Sequence, residues 1–146
     1  MKKIIMFMVS SVMLVSTMAF SASFKDTFVN TANDLYKSDE VKTGMKVSYG
    51  ITSLEMFREK DDQNMIGMKY YYNIKDALKM LEEGSSNYDY IDSVSSSLIT
   101  EYCTTKLLSR LNEFGFKKTV NMYFYDNSGN FMDAMYFDEK VCAGGW

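Results

Sequence analysis

The sequence predicts an α+β domain: an antiparallel four-stranded sheet built from two hairpins, helices packed on one face, in the order α-β-β-α-α-β-β. Three observations predict it. Apolar residues recur at helical spacing in Phe24, Phe28, Ala32 and Leu35. The apolar period changes to two in two separate regions, each interrupted by a polar turn. Two cysteines, Cys103 and Cys142, bracket the last third of the chain and can close it covalently.

The elements follow in chain order. Phe24, Phe28, Ala32 and Leu35, with Val29 and Tyr36 beside them, give an amphipathic helix ending near Ser38. Asp39 to Gly44 is polar and reads as a connection. Val47, Tyr49 and Ile51 alternate with Lys46, Ser48 and Gly50, as in a half-buried strand. The phase slips at Thr52-Ser53, which reads as a bulge or bend before Leu54 and Met56. Glu59 to Asn64 is a polar turn, and Ile66, Met68, Tyr70 and Tyr72 form the return strand. Asn73 can cap a short helix carrying Ile74, Ala77, Leu78 and Leu81, with Gly84 terminating it. Ser85 to Tyr90 reads as a loop, after which Asp92 caps a longer helix marked by Leu98, Tyr102, Leu108, Leu111 and Phe114 and stopped at Gly115. Val120, Met122 and Phe124 alternate with Thr119, Asn121, Tyr123 and Tyr125, and the turn Asp126–Asn130 follows. A three-residue loop with Gly129 left-handed sets Phe124 opposite Met132, Met122 opposite Ala134 and Val120 opposite Tyr136.

The N-terminus speaks to location. Lys2 and Lys3 precede an apolar run, Ile4 to Thr17, and small residues follow at Ala19 and Ser21. That is the pattern of a secretory signal, here expected to span residues 1–21 with cleavage before Ala22. The run is short for a membrane-spanning helix, which needs about 20 apolar residues. Removing 21 of 146 residues leaves 125, with 14 basic and 19 acidic side chains. Such an acidic single domain, residues 22–146, disfavours phosphate backbones and anionic lipid, so neither a nucleic acid nor a membrane is expected as partner. The periplasm or the exterior is the expected destination, and there an even cysteine count reads as a disulfide, Cys103 to Cys142.

The chain contains neither His nor Pro. Every His-dependent triad, dyad and metal site is thereby excluded. The carboxylate pairs Asp61-Asp62, Glu82-Glu83 and Asp138-Glu139 sit in turns or at element ends, where solvated charge is ordinary. Asp126 to Asn130 has calcium-loop residue types without the frame or terminal Glu of an EF-hand. Ser95-Ser96-Ser97 has no nucleophile elbow, and no glycine-rich phosphate loop is present. No catalytic residue, metal or cofactor is expected.

Aromatic content is the other unusual feature: 11 Tyr, 8 Phe and one Trp among residues 22–146. These rings have two readings, a small core completed by amphipathic rings and a contact surface. Tyr71 lies on the strand face opposite Tyr70 and Tyr72, and Tyr88 and Tyr90 flank the following loop; these three are the candidate partner-binding residues.

Tyr102-Cys103, Leu107-Leu108, Gly115, the run Tyr123 to Gly129 and Cys142 together resemble the end of many small exported bacterial proteins. The shared pattern is Cys, helix, Gly, a hairpin with a D-x-x-G turn, and a closing Cys. The resemblance implies a disulfide-closed α+β domain and no particular activity. Type II secretion pilotins are similar in being small, disulfide-bonded and periplasmic, but are commonly lipoproteins, and no lipobox occurs here. The expected function is a non-enzymatic domain that binds another protein: an inhibitor, an immunity protein or a secretion-system accessory. Self-association is compatible with this. The alternative is a binder of a small apolar ligand in a Met- and aromatic-lined pocket; a His-free hydrolase is a third class.

Overall fold

The computed structural model describes residues 22–144, and the side chains of all these except residues 22, 107 and 108. The expected signal segment, residues 1–21, lies outside the described residues. The elements are α1 (Ala22–Tyr36), α2 (Asp39–Tyr49), β1 (Ile51–Arg58), β2 (Ile66–Tyr72), α3 (Ile74–Leu78), α4 (Asn87–Thr104), α5 (Leu107–Glu113), β3 (Thr119–Asp126), β4 (Phe131–Asp138) and α6 (Glu139–Cys142). The architecture is α+β, with one four-stranded sheet in the order β1-β2-β3-β4.

The sheet is mixed, which corrects the expectation of a purely antiparallel one. β1 with β2 and β3 with β4 are antiparallel hairpins, but β2 and β3 run parallel. The connection between them explains this. The 18 residues of α4 span about 27 Å, and the seven residues of β2 span about 23 Å. The helix carries the chain back to the end where β2 began, so β3 starts there and runs the same way.

The element order differs from expectation at α2. Residues 39–49 form a helix rather than a connection followed by a strand. Ser38 caps it by accepting the Val41 N–H, and Asp39 and Glu40 place negative charge on its first turn. Val41, Met45 and Tyr49, four apart, are its buried stripe, whereas Val47 is 73% exposed. The alternation of Val47, Tyr49 and Ile51 was therefore fortuitous. Gly50 ends the helix at φ +71°, donating its N–H to Lys46. That left-handed conformation suits glycine, and a Cβ there would also press on Met80 Sδ at 2.9 Å.

Two further boundaries moved. α4 starts five residues before the expected Asp92 cap, because Ser86 and Asp89 form a reciprocal capping box. The long helix is also broken after Thr104. Thr104 and Thr105 turn their hydroxyls back onto the carbonyls of Thr100 and Glu101, and Lys106 is left-handed at φ 55°. α5 then ends at Gly115 as expected; Phe116 N–H reaches Leu111 O and Gly115 N–H reaches Asn112 O, a Schellman motif. The expected bulge in β1 is present, between Ile51 and Ser53, as is the Asn73 cap on α3.

The final hairpin keeps the expected three-residue loop, with Asp126 N–H bonded to Asn130 O and Tyr125 opposite Phe131, and is shifted by one residue beyond it. Val120 faces Phe137, Met122 faces Met135 and Phe124 faces Asp133, with an irregularity before the Tyr125–Phe131 pair that leaves Met132 unpaired. Phe137 is consequently buried and Tyr136 exposed, the reverse of the expected arrangement.

Every core-facing row of the sheet looks toward the helices. Met56, Met68, Met122 and Met135 form one row, and Leu54, Tyr70, Phe124 and Asp133 the next. α1 packs Phe24 and Phe28 on Phe114 and Phe116. α4 sets Tyr90 against Tyr72 and stacks Tyr102 on Phe137. Cys103 on α4 and Cys142 on α6 are joined, with Cα atoms 5.2 Å apart, so the segment after β4 is pinned to the helix layer.

Candidate functional site

Helices cover one side of the sheet. The other side presents three cross-strand rows: Phe57, Gly67, Asn121 and Tyr136; Glu55, Lys69, Tyr123 and Ala134; and Ser53, Tyr71, Tyr125 and Phe131. All but Gly67 are half-buried or exposed. Strand geometry accounts for the placement. Side chains alternate between faces, so each residue between two core residues points outward.

Gly67 shapes the first row. A Cβ at this position would collide with the Phe57 ring, so its absence lets that ring lie on the backbone. Lys69 Nζ then sits 5.1 Å from the Phe57 centroid, a cation–π contact. Tyr123 lies 5.7 Å from Phe57. Its hydroxyl donates to Glu59 Oε1 at 2.7 Å, and Asn121 Nδ2 donates to the same oxygen at 2.9 Å. Burial, reinforced by the Glu59 carboxylate, pushes the Tyr123 hydroxyl up to about 12. It therefore remains a hydrogen-bond donor at neutral pH.

The third row is a ladder of rings. Tyr71 and Tyr125 stack at 5.4 Å, and Phe131 meets Tyr125 edge-on at 5.8 Å. The stacking faces of Tyr71 and Tyr125 are turned toward each other. Phe131 and Tyr136, both on β4, are the most exposed rings here, at 57% and 58%.

The structure separates the three candidate tyrosines. Tyr71 is on the open face. Tyr88 is 69% exposed but stands in the first turn of α4, in the helix layer. Tyr90 is 1% exposed, which corrects the expectation of a surface ring. Its residue belongs to α4 rather than to a loop, and its hydroxyl donates to Tyr49 O at 2.5 Å. The polar residues Ser85 to Asp89 that resemble a loop are the capped start of a helix, and the helical period buries Tyr90. Phe57, Tyr123, Tyr125, Phe131 and Tyr136 join Tyr71 on this face beyond the three candidates that the sequence marks. The alternation that turned Tyr71 outward also applies to Tyr123 and Tyr125, but their meeting with Tyr71 depends on β2 and β3 being neighbours.

Behind the sheet lies a group of buried tyrosines. The Tyr70 and Tyr102 hydroxyls share a 2.7 Å hydrogen bond, and the Tyr36 hydroxyl reaches Met68 Sδ at 3.9 Å. Burial raises Tyr36 and Tyr70 well above the usual tyrosine range and Tyr102 to about 12. Met45, Met56, Met68 and Met122 are packed into the core beside these rings. Among the described residues, no group of three Cys, Asp or Glu side chains is arranged to hold a metal ion, and no helix is long and apolar enough to cross a membrane.

The class defined by this geometry is a disulfide-closed α+β domain with a one-sided helix layer and an aromatic open sheet face. Comparisons with protein-family models, with curated proteins and with solved structures gave no match.

Proposed function

We propose that this is an exported, non-enzymatic protein-binding domain whose contact surface is the open face of the sheet. One observation carries the reading: six aromatic residues, Phe57, Tyr71, Tyr123, Tyr125, Phe131 and Tyr136, gather on the face that no described helix covers. Outward rings of this density add little to a core on the opposite side of the sheet, and aromatic residues are enriched where proteins meet. Ring contacts of Tyr71 and Phe131 with Tyr125, and of Phe57 with Tyr123, pre-order five of them, which lowers the entropy cost of docking. Export is supported by the Lys2-Lys3 and Ile4–Thr17 pattern and by the bond between Cys103 and Cys142. Tyr88 stands outside this surface and serves as a control. An inhibitor, an immunity protein or a secretion accessory fits equally.

The test is quantitative capture from a periplasmic extract, followed by affinity measurement on whatever protein is retained. Gly67→Ala, which displaces Phe57, and Tyr71→Ala are each expected to weaken binding by at least about 30-fold, the loss of a central interface ring. Tyr88→Ala should bind as the parent does. If both open-face variants hold the partner with undiminished affinity, the face is not the contact surface.

A further inference from the structure

The two edges of the sheet are finished differently. At β1, the Asn33 side chain accepts the Met56 N–H at 2.7 Å and donates to the Met56 carbonyl at 2.9 Å. An amide side chain thus takes the place of a neighbouring strand, and β1 is closed to addition. At β4, no hydrogen bond among the described residues joins the outer backbone to another element. The Ala134 N–H goes instead to the carboxylate of its own neighbour, Asp133, at 2.8 Å. Asp126 N–H bonds across the hairpin to Asn130 O, so by alternation Tyr123 and Ala134 are a pair that does not exchange hydrogen bonds, and the Ala134 N–H points away from β3. Beside it, Ala134 is flanked on the open face by exposed Phe131 and Tyr136.

We infer that β4 pairs antiparallel with β4 of a second copy of this chain, about a two-fold axis at Ala134, giving one eight-stranded sheet. The register makes the edge self-complementary. Ala134 meets Ala134 of the second copy, and each N–H exchanges its Asp133 partner for a carbonyl. Asp133 faces Met135 of the copy, so no like charges lie directly opposite. Tyr136 meets Phe131 of the copy across the Met132 irregularity, and the small Ala134 between them leaves room for both aromatic pairs. The same two-fold joins the two open faces into one continuous aromatic surface. This pairing rests on the edge and not on the protein partner proposed above.

The association is weak by construction. An eight-residue edge is about 27 Å long, and across a sheet about 10 Å thick it covers roughly 300 Å² per copy, against roughly 800 Å² for a standard interface. The Asp133 carboxylate competes for the Ala134 N–H, and both copies are acidic, so screening by salt should strengthen the pairing.

Sedimentation velocity of the chain, expressed from Met1 and purified, tests this from about 20 µM to about 1 mM. A dimer fraction that grows with concentration, with salt and with Asp133→Asn is expected. Ala134→Pro should remain monomeric while keeping the β3 pairing, because proline is tolerated where an edge N–H faces outward. Should that variant fold poorly, Phe131→Lys combined with Tyr136→Lys alters only exposed positions and should also be monomeric. Tyr71→Ala should dimerise as the parent does. A parent chain that stays monomeric at the highest concentration, or a dimer that survives both edge variants, overturns the inference.

Discussion

Asn33→Ala removes the side chain that closes the β1 edge, and its cost can be worked from the structure. Two hydrogen bonds are lost, from Met56 N–H and to Met56 O, both partly buried. Each is worth on the order of 1 kcal/mol, more where the orphaned group stays dry. Alanine returns about 0.5 kcal/mol through better helix propensity within α1. The expected net loss is about 2 kcal/mol, or about 8 °C in Tm at roughly 4 °C per kcal/mol for a domain of this size. Urea titration followed by circular dichroism measures it. Asn33→Asp sharpens the test. A carboxylate can still accept the Met56 N–H but, ionised, it faces the Met56 carbonyl without a proton to donate. Its folded pKa is therefore raised above the unfolded value of about 3.9. The variant is then relatively most stable below that value and loses stability as pH rises through the folded pKa. Its deficit against the parent should be smaller in acid than at neutral pH, whereas that of Asn33→Ala should be less dependent on pH. A loss below about 0.5 kcal/mol for Asn33→Ala, or an Asn33→Asp deficit that does not change with pH, would refute the assignment of this amide as the edge closure.

Two further outcomes are expected. Cys103→Ser with Cys142→Ser opens a loop of 39 positions, and the chain-entropy model puts the loss at up to about 4 kcal/mol; a melting temperature equal to that of the parent would exclude a stabilising role. Alkaline pH should unfold the domain as its buried tyrosines ionise. Tyr70 is held well above the usual range and Tyr102 at about 12, against about 10 in the unfolded chain. The stability these groups contribute is fully present below about pH 10 and lost as pH rises toward 12. Absorbance at 295 nm and ellipticity should then change together for this buried set, and ionisation of that set well before the ellipticity falls would contradict its burial.

Much of the local structure was legible because it depends on contacts within one turn or one strand. The Asn73 cap, the bulge at Thr52, the glycine stop at Gly115, the left-handed Gly129 in the hairpin loop and the outward turn of Tyr71 each follow from a few adjacent residues. The errors arose where two local signals competed. Val41, Met45 and Tyr49 carried a helical stripe while Val47, Tyr49 and Ile51 mimicked a strand. The Ser38 cap and Gly50 decided for the helix. Tyr90 is a case of the same competition, since the Ser86–Asp89 box starts a helix sooner than Asp92 can.

The candidate site divides along the same line. That Tyr71, Tyr123 and Tyr125 leave the core face is a consequence of strand alternation, and the sequence by itself determines it. It also determines the acidic balance, the lack of histidine chemistry and the two cysteines that can be joined. Only the tertiary structure decided that β2 and β3 are parallel neighbours, which brings Tyr71 onto Tyr125 and Phe57 beside Tyr123. It alone decided the hairpin register that buries Phe137 and exposes Tyr136, and the edge closure by Asn33, 23 positions from Met56. Local conformation is set by a residue's immediate neighbours. Strand partners are set by where an intervening helix returns the chain, and its length becomes meaningful only once it packs against the sheet.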